Sequence, residues 1–329
     1  MRIRMVCPAP PGSLYGNRVT ALRWAGMLRG LGHQVTIVSD YQDEDCDLLI
    51  ALHARRSGEA ALRFRRTRPW SPLIVALTGT DLYRDLHRYQ TPRRVLETAD
   101  RIVALQPLAA DELDPGVRGK LRVIYQSAEP TRNTPKRAGE SYDICVVGHL
   151  RAVKDPLRAA YAARRLPRDS RIRVLHAGGA RDAAMGARAR VEEARNPRYQ
   201  WLGALSRVKT RRLIVQSKLL VLSSRMEGGA NVISEAVVDG TPVLASRIPG
   251  SIGLLGADYP GYFPVGNTQK LAELLERAES DAAFYRRLAM HCRKLAPLFR
   301  PAREREQWRK LLAEITRESN RAASWRSPS

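Results

Sequence analysis

The chain has 329 residues, a length that suits two domains of ordinary size. Hydrophobic residues make up 44% of it and charged residues 27%, which excludes a disordered polymer. No apolar run approaches the ~18 residues that a membrane helix needs, and proline interrupts the N-terminus too early for a signal peptide. We therefore expect a soluble, cytoplasmic protein with no stable membrane insertion.

The net charge is +23, and arginine supplies most of it. The arginines are spread along the chain without a helix-turn-helix, zinc-finger or aromatic RNA-binding signature, so nucleic acid is not an expected partner. An anionic membrane surface and small anionic substrates remain as explanations of the charge. The four cysteines, Cys7, Cys46, Cys145 and Cys292, lack metal-ligand spacing and are expected to stay reduced.

Short apolar runs alternate with longer amphipathic ones, a pattern typical of strand–helix units around a parallel sheet. A Pro/Gly loop, Pro8–Gly16, follows the first predicted strand, and a helix at Val19–Gly30 ends at Gly32. The strands predicted in this half are Arg2–Cys7, Gln34–Ser39, Leu48–Leu52, Leu73–Leu77, Arg101–Ala104 and Leu121–Ile124.

A polar stretch, Thr131–Ser141, has no apolar period and is the best candidate for a linker. Pro301–Thr316 has the period of a last helix, and Glu318–Ser329 is expected to fray. The strands predicted between them are Asp143–Val147, Arg171–Ala177, Tyr199–Leu202, Leu219–Ser223 and Pro242–Ala245.

These patterns predict an α/β protein with two Rossmann-like, doubly wound parallel-sheet domains that face a cleft. The predicted boundaries are 1–135 for the first domain and 140–300 for the second, and the helix at 301–318 is expected to pack back on the first domain. Ligands of open parallel sheets bind at the carboxyl ends of the strands, so we expect the site in the loops there.

The segment Ser223–Gly250 reads SSRMEGGANVISEAVVDGTPVLASRIPG, a strand end, a loop and a helix. Gly228 and Gly229 let backbone amides approach a ligand closely. Asn231 is predicted as the N-cap of the helix, whose free amides and positive dipole end suit a diphosphate. The segment is therefore a candidate for binding a nucleotide.

The same segment resembles the donor-binding signature of the large family of retaining glycosyltransferases with two Rossmann domains, the GT-B fold. That signature has two glutamates separated by seven residues, here Glu227 and Glu235. The resemblance extends over nearly the whole chain, through the "G-H-x-V" turn at Gly32–Val35 and the strand at Tyr199–Gly203. It implies a nucleotide-sugar donor, with Glu235 on a ribose diol and Glu227 on a sugar hydroxyl.

The family's phosphate clamp has a glycine, an arginine and, five residues after the arginine, a lysine. Gly148 and Lys154 fit this pattern, but His149 stands at the arginine position. Either Arg151 supplies the missing charge, or His149 hydrogen-bonds the phosphate itself. The resemblance implies a catalytic role for Lys154, Glu227 and His149. The donor-binding residues that it implies are Gly12, Gly16, His149, Arg151, Lys154, Glu227, Gly228, Gly229, Ala230, Asn231 and Glu235.

An Asp-x-Asp pattern occurs within Asp43–Asp47, and other glycosyltransferases bind a divalent metal with such a pair. This one lies in a polar loop, and acidic loop runs are usually solvated. Cationic side chains and a helix end are expected to neutralise the diphosphate, so we predict neither a metal nor another cofactor.

The first domain is expected to bind the acceptor, through the segments Leu52–Ser57 and Leu77–Asp81. Guanidinium forks match phosphate oxygens, which suggests an anionic acceptor at Arg55 and Arg56, although both could be ordinary surface arginines. Family members often carry a histidine where this chain has Thr78. The candidate acceptor residues are His53, Arg55, Arg56, Ser57, Thr78, Thr80 and Asp81.

The strings LHARRS and TGTDLYRD resemble a narrower subgroup, the selenosugar synthases of the selenoneine pathway. That resemblance implies transfer of N-acetylglucosamine or glucose from a UDP-sugar to selenophosphate. The alternatives are a glycosyltransferase acting on a lipid or polysaccharide at an anionic membrane, and a non-catalytic nucleotide-sugar-binding protein. The transferred sugar, the anomeric outcome and the oligomeric state stay open.

Overall fold

The computed structural model describes residues 1–13, 15–132, 134 and 141–324, and side chains as far as residue 319. The chain divides into two compact units. Unit 1 is Met1–Gln126 together with Pro301–Ser329, and unit 2 is Ser127–Arg300. The division therefore falls between Gln126 and Ser127, earlier than the predicted linker Thr131–Ser141, much of which lies outside the described residues.

The described part of unit 1 contains a parallel sheet of six strands in the order β2-β1-β3-β4-β5-β6. The strands are β1 (Arg2–Val6), β2 (Gln34–Val38), β3 (Leu48–Leu52), β4 (Leu73–Leu77), β5 (Arg101–Ala104) and β6 (Leu121–Val123). The helices between them are α1 (Gly16–Gly30), α2 (Gly58–Thr67), α3 (Leu86–Arg88), α4 (Gln90–Thr98) and α5 (Pro115–Arg118). A π-helical turn at Asp81–Asp85 precedes α3, and a 3₁₀ turn spans Pro107–Glu112.

The central strands of the unit 1 sheet are buried on both faces. Strands β3 and β4 read LLIAL and LIVAL and are buried at every position, as continuous apolar runs in parallel sheets usually are. Alternate residues of each strand enter one of two hydrophobic clusters. The sequence predicts these strands well because short apolar runs bounded by turns are typical of buried strands.

The described part of unit 2 contains a second parallel sheet of six strands, in the order β12-β11-β10-β7-β8-β9. The strands are β7 (Tyr142–Val147), β8 (Ile172–Ala177), β9 (Tyr199–Trp201), β10 (Leu219–Leu222), β11 (Val243–Ser246) and β12 (Tyr262–Phe263). The helices are α6 (Arg158–Ala163), α7 (Ala183–Arg195), α8 (Arg207–Gln216), α9 (Asn231–Val238), α10 (Pro249–Leu255), α11 (Thr268–Ser280) and α12 (Ala282–Leu295), with 3₁₀ turns at Ala152–Lys154 and Ala296–Phe299.

The predicted α/β class with two doubly wound parallel sheets is confirmed. The sequence missed β12, because two residues are too few to show a period. Helix α1 begins at Gly16 and not at the predicted Val19. The prediction started too late because residues 16–18 are not apolar and therefore lie outside the periodic stretch. Among the described helices, none is both long and apolar enough to cross a bilayer.

The last helix, α13 (Pro301–Ser324), belongs to unit 1. Trp308 packs edge-on against Trp24 of α1, with ring centroids 4.8 Å apart, in the same hydrophobic cluster as β1 and β3. The buried carboxylate of Glu304 accepts a hydrogen bond from the indole nitrogen of Trp24 at 2.7 Å and pairs with Arg23 at 3.2 Å.

The prediction that the chain frays from Glu318 onward is wrong for residues 318–324, which continue α13. The apolar period stops at Ile315, but the helix goes on with ionic contacts. Glu314 pairs with Arg101 and Arg122 of the neighbouring strands, and Glu318 also reaches Arg101. Periodicity cannot reveal this stabilisation, because the partners lie about 200 positions earlier in the chain. Residues 325–329 are outside the described part.

Candidate donor and acceptor sites

The loop after β10 leads directly into α9. Gly228, Gly229 and Ala230 form the end of this loop, and Asn231 is the first helical residue. The prediction that Asn231 caps the helix is wrong: Ala230 takes the cap position, with extended backbone and no side-chain cap bond. The first turn of α9 carries no acidic side chain, so the positive end of the helix dipole is not offset there.

Glu227 lies in this loop and is 8% exposed. Its Oε1 accepts a hydrogen bond from the Ser224 hydroxyl at 2.6 Å and contacts the ammonium group of Lys154. Gly250, at the start of α10, packs against the Glu227 backbone so closely that a Cβ there would lie 1.9 Å from the Glu227 carbonyl oxygen. The glycine of the Ile-Pro-Gly string is therefore required at this position, since only glycine leaves room for the Glu227 loop.

Lys154 ends the 3₁₀ turn that follows β7, and three contacts hold this turn beside the Glu227 loop. The Ser223 hydroxyl donates to the carbonyl oxygen of Asp155 at 2.8 Å, and the Arg225 amide donates to Val153 at 2.8 Å. The third contact is the Lys154–Glu227 ion pair. The residues that the resemblance assigns to phosphate and to sugar are thus direct neighbours.

His149 lies between β7 and the 3₁₀ turn, where its Nδ1 accepts a hydrogen bond from the Gly179 amide at 3.2 Å. An accepting Nδ1 carries a lone pair, so the neutral ring has its proton on Nε2 and can donate from there. Arg151, two residues later, is exposed. Glu235 lies about one turn inside α9 and is half-buried.

Two predicted donor residues belong to the other unit. Gly12 adopts a φ of +75° in the loop after β1, and Gly16 starts α1. Both are in unit 1, whereas His149, Lys154 and Glu227 are in unit 2.

In unit 1, the structure brings the two predicted acceptor segments together at the carboxyl ends of β3 and β4. Asp81 is fully buried, and its carboxylate accepts hydrogen bonds from the amides of Ala54 at 3.1 Å, Thr78 at 3.1 Å and Gly79 at 2.7 Å. The buried Ser57 hydroxyl donates to Leu52 at 2.7 Å. Asp81 and Ser57 therefore hold the loops together, which differs from the acceptor contacts predicted for them.

His53 is 3% exposed and has a φ of +76°, a strained conformation for a residue other than glycine. Its Nδ1 accepts from the Arg56 amide at 3.3 Å, and its Nε2 lies 3.2 Å from the Thr80 hydroxyl. Burial lowers the pKa of His53 by more than the nearby Asp81 carboxylate raises it. A neutral, buried imidazole with both nitrogens in contact orders this loop.

The exposed part of the predicted acceptor cluster is cationic. Asp85, 1% exposed, lies 3.6 Å from the Arg55 guanidinium and 2.9 Å from that of Arg84. The Tyr89 ring stacks under Arg55 at 3.6 Å, and Arg56 is exposed. Sequence reasoning missed Arg84, Asp85 and Tyr89, although the first two end the quoted string TGTDLYRD. The π-helical turn, which local patterns do not reveal, contains Arg84 and Asp85, and Tyr89 follows α3.

Thr78, at the position where the resemblance implies a histidine, is partly exposed as a residue. Its hydroxyl oxygen is buried and finds no hydrogen-bond partner in the part of the chain that the structure describes. A small polar ligand group would satisfy it.

The acidic loop at residues 43–47 is engaged in ion pairs. Asp45 pairs with Arg2 and, at 2.9 Å, with Arg68, and Asp47 pairs with Arg2 at 3.0 Å. The described residues include no group of three or more His, Cys, Asp or Glu side chains arranged to hold a metal ion.

Two Rossmann-like parallel-sheet units define a protein of the GT-B class. The sequence model described as "Glycosyl transferases group 1" matches residues 127–295, just over half of the chain and nearly the whole of unit 2. The chain therefore belongs to the group 1 glycosyl transferases.

Solved structures share this fold at low sequence identity. Sucrose-phosphate synthase from Thermosynechococcus elongatus has a TM-score of 0.79 at 16% identity, over 96% of this chain and 99% of that one. HepE from Anabaena, solved with UDP and glucose, has a TM-score of 0.76 at 17% identity, over 95% and 100%. A glycosyltransferase from Rickettsia africae has a TM-score of 0.75 at 14% identity, over 96% and 98%.

Proposed function

We propose that this protein transfers a sugar from a UDP-sugar to selenophosphate and so forms a carbon–selenium bond. The observation that carries the donor half is the contact between Lys154 and Glu227 beside the start of α9, in a member of the group 1 glycosyl transferases. HepE, which shares the fold, was solved with UDP-glucose. The donor is proposed on that basis, and neither a metal nor another cofactor is needed.

In the donor site, the charge that must be neutralised develops on the departing diphosphate. Lys154 supplies a positive charge, and the amides at the start of α9 supply a partial one. Either His149, which is held by the Gly179 amide, or the exposed Arg151 adds a further contact to a phosphate oxygen. Glu227 accepts from a sugar hydroxyl, and Glu235 from the ribose diol.

In the acceptor site, the geometry favours a small anion. Arg55 and Arg84 both pair with the buried carboxylate of Asp85, and Arg56 adds a third guanidinium, so three positive charges stand against the two carboxylates of Asp81 and Asp85. Guanidinium groups bind tetrahedral oxyanions through paired hydrogen bonds. The unpaired hydroxyl of Thr78 offers a further polar contact.

The reaction balances without a protein base. The selenium atom of selenophosphate attacks the anomeric carbon, the carbon–oxygen bond to the diphosphate breaks, and its electron pair leaves with UDP. Water then cleaves the selenium–phosphorus bond and releases phosphate. A selenium anion needs no deprotonation, unlike a sugar hydroxyl, so the tied and buried His53 is not required as a base.

The basic segment at residues 63–68 does not favour the membrane alternative. Arg63, Arg65 and Arg68 pair with Asp40, Asp100 and Asp45, so three of the four arginines in this segment already have a carboxylate partner. A lipid surface would need free positive charge there.

The test is to incubate the protein with UDP-N-acetylglucosamine or UDP-glucose, with selenophosphate or with phosphate alone, and to analyse the products by mass spectrometry. We expect UDP and a seleno-sugar only where selenophosphate is present. Sugar transfer to an added lipid or polysaccharide, without any seleno-sugar, would support the ordinary glycosyltransferase instead. UDP-sugar binding without turnover on any acceptor would indicate a binding protein.

A further inference from the structure

The hydroxyl group of Ser224 is the feature from which this inference starts. Ser224 is 0% exposed and lies in the loop between β10 and α9, three residues before Glu227. Its Oγ donates to Glu227 Oε1 at 2.6 Å, a short bond to an ionised acceptor. The Ser224 hydroxyl therefore acts on Glu227 among the predicted site residues.

Ser224 is itself held at the backbone. The hydroxyl of Ser246, the last residue of β11, donates to the carbonyl oxygen of Ser224, and both residues are fully buried. On the other side, Gly250 packs against the carbonyl oxygen of Glu227. The main chain around Glu227 is thus fixed from two directions, and the Ser224 hydroxyl extends that fixation to the carboxylate.

The other contact of Glu227 Oε1 is of a different kind. Lys154 ends a long, rotatable side chain that is 29% exposed, and its ammonium ion is attracted by any anion nearby. A bound diphosphate draws Lys154 toward phosphate oxygens and weakens its hold on Glu227. The Ser224 hydroxyl carries no charge, so a diphosphate does not compete for it in the same way.

We propose that Ser224 is a positioning residue, which holds the Glu227 carboxylate toward the transferred sugar while Lys154 engages the diphosphate. This proposal rests on the UDP-sugar donor of the proposed function and not on the identity of the acceptor. It assigns Ser224 an effect on the sugar part of the donor and none on the nucleotide part.

The test compares Ser224→Ala with Ser217→Ala by calorimetric titration with UDP and with UDP-glucose. Ser217 is a matched control in the same unit, because its buried hydroxyl also makes a 2.7 Å bond, to Leu213 of α8, away from the donor residues. We expect Ser224→Ala to bind UDP like the unmodified protein and UDP-glucose about tenfold more weakly, in line with the loss of one hydrogen bond to a charged group. Ser224→Cys, which keeps a weak donor, should recover part of the loss.

A second measurement separates positioning from a general structural effect. In a Glu227→Gln background, Ser224→Ala should add less than a twofold further loss of UDP-glucose affinity, because its effect passes through the carboxylate. Equal UDP-glucose affinity in Ser224→Ala and the unmodified protein would overturn the proposal, and so would a full tenfold loss that persists beside Glu227→Gln.

The outcome for the unmodified protein distinguishes the two proposals. If it binds UDP-glucose but makes no seleno-sugar, the proposed acceptor is wrong, and the Ser224 result still decides this inference. If it binds neither UDP nor UDP-glucose, the donor assignment and this inference are both wrong.

Discussion

Lys154 and Glu227 are in contact although 73 positions separate them in the chain. Their strands, β7 and β10, are hydrogen-bonded neighbours in the centre of the second sheet, so the loops that follow them emerge side by side. The carboxyl ends of such strands are where open parallel sheets bind ligands. At the scale of single residues, this pair marks the candidate donor site.

Glu235 is the residue on which nucleotide binding should depend. We expect Glu235→Ala to weaken UDP binding by about 1–3 kcal/mol, because hydrogen bonds to a charged acceptor are lost. Calorimetric titration with UDP measures this directly. Glu276→Ala, which removes an exposed glutamate from α11 of the same unit, is the control. Unchanged UDP affinity in Glu235→Ala would remove this residue from the site.

Arg55 and Arg56 should act on the acceptor and not on the donor. Replacing both with alanine should raise the apparent KM for selenophosphate and leave UDP affinity nearly constant. The rise in KM should correspond to a loss of about 1.5–3 kcal/mol of binding free energy for each charge-assisted contact. Steady-state kinetics and titration together separate the two effects.

The control for this pair removes the same charge elsewhere in unit 1, at the exposed residues Arg66 and Arg94. If the control weakens the acceptor equally, the effect is general electrostatics. If neither double variant has an effect, a neutral sugar acceptor becomes the better hypothesis.

At the scale of elements, α13 depends on polar contacts as well as on its apolar face. Glu304 is 0% exposed and bonded to Trp24 and Arg23 of α1. We expect Glu304→Ala to destabilise unit 1 by about 3–5 kcal/mol, because it leaves a charged partner buried without its counterion. Denaturant unfolding measures the loss. Glu306→Ala, which removes an exposed pair with Arg309, should cost far less, and equal losses would show that the buried contacts of Glu304 are not what stabilises α13.

The ionic cluster at Glu314 predicts how stability varies with pH. Hydrogen bonds and charge from Arg122 and then Arg101 lower the pKa of Glu314 from 4.5 to about 2. Because the folded pKa is depressed, the stabilisation is fully present above about pH 4.5 and is lost as the pH falls toward 2. Glu314→Gln should therefore lower stability by about 1–2 kcal/mol near pH 7, a value discounted for partial exposure.

Thermal unfolding at several pH values checks this expectation. The difference in Tm between the unmodified protein and Glu314→Gln should stay constant from pH 7 to about 5 and shrink below that. A difference that does not change with pH would mean that the carboxylate charge is not what holds α13 to β5 and β6.

At the scale of the whole molecule, we expect the neutralising charges for the donor to come from the chain itself. The protein carries a net charge of +23, and Asp45 and Asp47 of the acidic loop are already paired with arginines. We expect turnover to survive EDTA with less than a twofold change, measured as UDP release. A complete loss that magnesium restores would make the enzyme metal-dependent and the cationic clamp insufficient.

The sequence by itself determined the two sheets, and it predicted which loop binds the donor. Continuous apolar runs such as LLIAL and LIVAL are typical of parallel strands that are buried on both faces, and these runs set the strand positions locally. The string from Ser223 to Gly250 predicted Glu227 and Glu235 as donor candidates, because it resembles the family's donor-binding signature within a single strand–loop–helix unit.

Only the tertiary structure decided which groups meet. Strand order brings Lys154 to Glu227, and the Ser224 bond requires the fold of the loop that Gly250 and Ser246 hold. In unit 1, folding buried Asp81 and Ser57 as loop anchors. The exposed guanidinium groups there include that of Arg55, which the sequence predicted, and that of Arg84, which it missed. Local periodicity records whether a residue is buried, whereas its partners depend on chain crossings that no short window of sequence contains.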